Sequence, residues 1–167
     1  WESRGNRAAA IEQAAAFSAS MHEATMAGLT GMMVTGTVAQ RAVFLDQLRE
    51  LNAIRDLRVL RAEAVSKVFG PGSAAGQAAP DELEKQVLAS GKEVVRVERD
   101  AKGEVLRAVR PTLALKSYLG KDCLTCHVVP EGTVLGVVSM KMSLEATNQA
   151  LADMRAQSLI AALVTCI

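Results

Sequence analysis

Leu57-Arg-Val-Leu-Arg-Ala-Glu-Ala-Val65 alternates roughly by two, the side-chain period of a strand. The chain before it recurs at spacings of three and four, the period of a helix. Residues 7–34 read as one Ala- and Met-rich helix. One stripe carries Ile11, Ala15, Ser18, His22, Met26, Leu29 and Met33; an adjoining stripe carries Phe17, Met21, Gly28 and Met32. Gly28, Gly31 and Gly36 weaken and bend its end. Thr37-Val-Ala-Gln40 reads as a capping box opening a second helix. Its apolar face is Val38, Ala42, Leu45, Leu48, Leu51 and Ile54.

Beyond the change of period, punctuation is frequent. Phe69-Gly-Pro-Gly72 and the small residues after it predict a loop. Pro80 to Leu88 predicts a short helix with acidic residues in its first turn, ended by Gly91. Glu93–Glu98 and Glu104–Val109 flank Asp100-Ala-Lys-Gly103, a hairpin pattern. Thr133–Met142 predicts a last strand, which would hold Met140 and Met142, and Ser143–Arg155 a closing helix. The order is α+β with an antiparallel sheet. Hydrophobic residues are 50% of the chain but aromatics only 3%, so the core must be aliphatic and Met-containing. The formal net charge of +1 gives no electrostatic argument for nucleic acid.

Between the hairpin and the last strand stands Cys123-Leu-Thr-Cys-His127. The pattern is the attachment signature of c-type haem. Thiols spaced this way add across the two vinyl groups, and the adjacent His supplies the proximal iron ligand. A thioredoxin-type pair needs the N-terminus of a helix to activate its thiol; here Val128-Val-Pro-Glu-Gly132 follows, a loop and a turn. A structural zinc site needs a second ligand pair, which the distant His22 and Cys166 do not make. The sequence holds no nucleophile–base pair and no second metal site, so it makes no case for an enzyme.

The ends add a placement. Ser158-Leu-Ile-Ala-Ala-Leu-Val-Thr-Cys-Ile167 is an unbroken run without charge. It is shorter than the roughly 20 residues a membrane span needs, and reads as the start of a truncated transmembrane helix. Trp1 suits a membrane interface. The expected organisation is a haem-binding sensor domain over 1–157 and a truncated membrane helix over 158–167. Haem of this type is installed outside the cytoplasm, so the expected location is the periplasmic face of an inner membrane.

Arg55-Asp-Leu-Arg-Val-Leu-Arg61, Phe69-Gly-Pro-Gly72, Arg110-Pro111 and Cys123-Leu-Thr-Cys-His127 carry a resemblance. The chain resembles the periplasmic c-type haem, PAS-like sensor domains of bacterial methyl-accepting chemotaxis proteins. The resemblance implies a PAS-like antiparallel sheet with long N-terminal helices, a C-terminal exit helix and one covalent haem c held by Cys123, Cys126 and His127. It also implies a homodimer, with the N-terminal helices able to exchange between subunits. A Met of the N-terminal helical region, Met33 or Met32, is implied as the distal iron ligand. His22, a water or an empty position are the alternatives. Arg110, Lys116, Tyr118 and Lys121 precede the motif and are candidate partners of the haem propionates. The expected function is a signal sensor, of redox state or of a small gas such as nitric oxide, in a transmembrane chemotaxis transducer. A membrane-anchored electron-transfer cytochrome is the alternative, and a pocket for a small organic ligand is a third.

Overall fold

A computed structural model of the chain describes residues 2–72 and 78–145, together with Gln149, Asp153 and Ala156. The first element, α1, is a single helix over Glu2–Thr35. It starts earlier than the periodicity predicts and runs through Gly28 and Gly31. Gly28 permits a close approach: a Cβ there would collide with the ring of Phe44. Gly36 ends the helix at φ +71, with its N–H bonded to Met33 O (3.3 Å) and that of Thr37 to Met32 O (2.8 Å). This paired closure is a Schellman motif, which needs a left-handed residue.

The capping box expected at Thr37–Gln40 does not form. The Thr37 hydroxyl faces that of Thr35 at 2.8 Å instead, and Val38–Gln40 is a 3-10 turn. The second helix, α2, is therefore shorter than expected, Arg41–Arg49. Leu45 is buried on it, whereas Leu51 lies beyond its end, 41% exposed, and Ile54 already belongs to a strand.

That strand, β1, is Ile54–Arg61, not 57–65. A further helix, α3, spans Glu63–Phe69 where the sequence suggested strand and loop. The misreading has a physical origin. Buried residues on β1 fall at Ile54, Leu57 and Leu60, three apart: an irregularity between Ile54 and Asp56 keeps Ile54 and Leu57 on one face, and Leu60 is buried on the other because both faces of the sheet are covered. Helix α4 (Glu82–Ser90), hairpin strands β2 (Val94–Asp100) and β3 (Gly103–Leu113), and β4 (Val134–Ser143) lie close to their predicted spans. Met140 and Met142 are buried in β4, as expected.

The sheet is four-stranded in the order β1-β4-β3-β2, every neighbouring pair antiparallel. The class is α+β. On one face Ala14, Met26 and Leu29 of α1 and Leu45 of α2 pack on Leu57, Leu106, Met140 and Met142. On the other, Leu83 and Val87 of α4 pack on Leu60, Val109 and Val137. The expected α1 stripe is buried from Ser18 to Leu29, while Met33 at its end is 44% exposed. Chain direction then gathers three strand ends. Arg61 of β1 pairs with Gly136, and Leu113 of β3 with Val134, so the segment between β3 and β4 emerges beside the end of β1.

Under α4 lies a buried charge network. Glu84 is fully buried and accepts from Arg58 Nη1 (3.0 Å), Arg107 Nη2 (3.1 Å) and the Asp81 backbone N–H (2.9 Å). The Asp81 carboxylate accepts in return from the Glu84 N–H (2.9 Å), closing a capping box, and from Arg107 (2.7 Å). Helical residues resume at Leu144 and Glu145, and Gln149, Asp153 and Ala156 are helical. Most of the expected exit helix, and all of the run 158–167, lie outside the described residues. No described helix is long and apolar enough to cross a membrane.

Candidate haem-attachment site

The loop joining β3 to β4 is pinned at its base: Ala114 N–H bonds Thr133 O (2.8 Å) and Gly132 N–H bonds Ala114 O (2.7 Å). Within it Tyr118 and Lys121 form an isolated antiparallel bridge. Cys123–Thr125 is one 3-10 turn, capped by the Asp122 carboxylate, which accepts from Leu124 N–H at 2.8 Å. The His127 N–H closes onto Cys123 O at 3.0 Å. A compact turn therefore presents both thiols and the imidazole together. Both cysteines are free thiols, Cys123 half-buried and Cys126 exposed.

Beneath the turn, Val65 of α3, Ala114 and Leu135 form a small apolar cluster that Cys123, Leu124 and Val129 join. The Phe69 ring, at the end of α3, meets His127 edge-on, centroids 5.5 Å apart at 75°. Burial, with the charge of Arg61 adding, holds the His127 pKa below its ordinary value. The imidazole is thus neutral at neutral pH, the form that binds iron. Val68, Phe69, Leu119 and Val128 stay exposed around this end of the molecule, Val128 at 96%.

These residues fit a covalent haem c. Accessible thiols at the right spacing, a neutral His and uncovered apolar side chains are what attachment of a flat apolar group requires. Among the described residues no cluster of His, Cys, Asp and Glu makes a separate metal site. A cleft of about 240 Å³ near Arg61, lined by Val59, Leu60, Pro71 and Ala78 among others, includes none of the three motif residues.

The other expected residues fall into separate groups. His22 is buried on α1, with Nε2 3.4 Å from the Tyr118 hydroxyl and Nδ1 without a hydrogen-bond partner among the described residues. Burial first, then the charge of Arg110, pushes its pKa down to about 4. Arg110 itself pairs with Glu93 and reaches Ser18 Oγ at 3.4 Å. Lys116 is exposed and pairs loosely with Glu131 at 3.8 Å, and Lys121 is exposed. Met32 is half-buried and Met33 exposed near the C-terminal end of α1.

Residues that the sequence did not single out as site partners complete the surroundings. Phe69 stood out as a loop residue within a stretch that carries the resemblance, not as a neighbour of His127. Asp122 has a local signal, an Asp opening a turn. Arg41 and Arg61 reach the Phe69–Gly72 loop through tertiary contacts, Arg41 to Gly72 O (2.6 Å) and Arg61 to Phe69 O and Gly70 O (both 3.0 Å). No protein-family model matches this chain, and no curated protein matches it either.

Proposed function

We propose that the chain is a PAS-like haem c sensor domain of a transmembrane chemotaxis transducer, held at the periplasmic face of the inner membrane. The observation that carries this reading is the presentation of Cys123, Cys126 and His127 on one turn, with exposed apolar side chains around it. The four-stranded antiparallel sheet with a long helix laid across one face supports the PAS-like part.

Haem in this site supplies an iron whose ligation responds to redox state or to a small gas such as nitric oxide. The chain's own residues do the rest. Cys123 and Cys126 would fix the group covalently, His127 would supply an iron ligand from the loop, and Met33 or Met32 of α1 would supply a further one. A stimulus acts only if it has different affinity for the two arrangements of α1. The assembly is a homodimer through the N-terminal helices, which can exchange between subunits.

A membrane-anchored electron-transfer cytochrome is the rival reading, favoured by the exposure of Cys126. Spectra of ferric, ferrous and nitric-oxide-treated protein, read together with the output of the full-length transducer, separate the two. A sensor changes ligation and output together. A haem that binds no gas, with output indifferent to its redox state, overturns the sensor reading.

A further inference from the structure

Arg41 opens α2 and Arg61 closes β1, yet both side chains converge on the stretch Phe69–Gly72. Arg41 donates to Val38 O (3.3 Å) and Gly72 O (2.6 Å); Arg61 donates to Phe69 O and Gly70 O (both 3.0 Å). A Cβ on Gly72 would lie 2.6 Å from Cζ of Arg61, so the loop backbone is pressed against that guanidinium.

The surroundings of this pair are unusual for the molecule. Each other arginine whose side chain is described has a carboxylate partner, for example Arg55 with Asp100, Arg58 with Glu84 and Arg110 with Glu93. Arg41 and Arg61 have none among the described residues; the partners found for them are backbone carbonyls. Burial first, and then the charge of Arg41, hold the Arg61 pKa below its ordinary value. Two guanidinium forks gathered on one loop, with no carboxylate partner among the described residues, offer donors that suit the planar geometry of a carboxylate. The loop they grip ends α3 at Phe69, whose ring rests on His127.

We propose that Arg41 and Arg61 form a two-arginine clamp that binds a haem propionate. The proposal rests on the haem-attachment reading and adds to it a role for residues outside the motif. It shifts the propionate anchor away from Arg110, whose charge is already matched by Glu93.

The test uses the haem-loaded chain and its Arg41→Gln, Arg61→Gln, doubly substituted and Arg61→Lys variants. Covalent haem content is measured first, and the midpoint potential is then followed against pH. A propionate held by two cations ionises at low pH, so the parent potential is flat near neutrality. In the double variant the pH at which the potential begins to fall moves up by about 1–2 pH units. Each single variant gives part of that change, and Arg61→Lys, which keeps the charge, gives less than Arg61→Gln.

Equal covalent haem and identical potential–pH curves in parent and double variant overturn the clamp and leave haem attachment standing. A parent that attaches no haem overturns the underlying reading and the clamp with it. The single variants and Arg61→Lys decide the matter if the double variant does not fold. Acetate is added as a free carboxylate probe. If it raises the unfolding temperature of the haem-loaded parent but not of the double variant, the clamp is open to free carboxylates and the propionate assignment is wrong.

Discussion

The Tyr118 hydroxyl lies 3.4 Å from Nε2 of His22, so a residue just ahead of the Cys-Leu-Thr-Cys-His turn touches the middle of α1. His22 is neutral at neutral pH because burial disfavours its charged form. Its Nε2 already faces a partner, and iron ligation through that atom has to displace Tyr118. Met32 and Met33 lie on a less encumbered stretch of the same helix.

The sixth ligand is predicted to be Met33 or Met32 in at least one redox state. Replacing both by Ala removes any thioether–iron charge-transfer band and raises the high-spin fraction, whereas His22→Ala leaves the band in place. A double variant with the parent spectrum refutes the assignment.

One haem is predicted to be covalently bound per chain. Protein matured with a c-type assembly system keeps its haem through acid–organic extraction. Cys123→Ala/Cys126→Ala protein releases whatever haem it holds. Extraction that strips the haem from the matured parent disproves attachment.

Glu84 is predicted to be the most sensitive polar position of the fold. Its carboxylate is fully buried between Arg58 and Arg107. Glu84→Ala leaves both guanidiniums short of a partner and costs about 3–5 kcal/mol, as removal of one member of a buried ion pair does. Urea unfolding measures it, and a loss below about 1 kcal/mol contradicts the network's role.

Acid stability should depend on Asp81. Burial raises its pKa, but the Glu84 backbone N–H and the Arg107 contacts outweigh that and hold it below the ordinary carboxylate value. A depressed native pKa contributes stability above the unfolded value and loses it as pH falls through the native one. Asp81→Asn should therefore flatten the acid limb of stability against pH below about 4. An unchanged limb would exclude Asp81 as its source.

Exposed Phe17, Met33 and Val34 on α1 (39%, 44% and 65%) suit the predicted dimer. Phe17→Glu/Val34→Glu should shift sedimentation towards monomer. A parent that is monomeric at high concentration removes the basis for the interface.

The hairpin, α4 and β4 were legible because their signals are local: Asp100 to Gly103 between alternating runs, acids opening a helix, and a long apolar strand. The start of β1 and the whole of α3 were not, because helices cover both sheet faces and put Leu57 and Leu60 three apart on opposite sides. The loop that carries Cys123-Leu-Thr-Cys-His127 was legible from sequence. Its surroundings were not, since Arg41 and Gly72 are 31 positions apart and only the packing of α2 beside β1 brings them together.

Strand β4 is hydrogen-bonded along both edges, from soon after His127 to the residues that lead into Leu144. A strand gripped this way cannot creep lengthwise, because a one-residue slip would turn Val137 and Val138 to the wrong faces. It behaves as a keel rather than a piston. In the proposed sensor, movement that begins at the Cys123–His127 turn would reach the far end as a tilt of the whole sheet, and α1, packed across that sheet, would tilt with it.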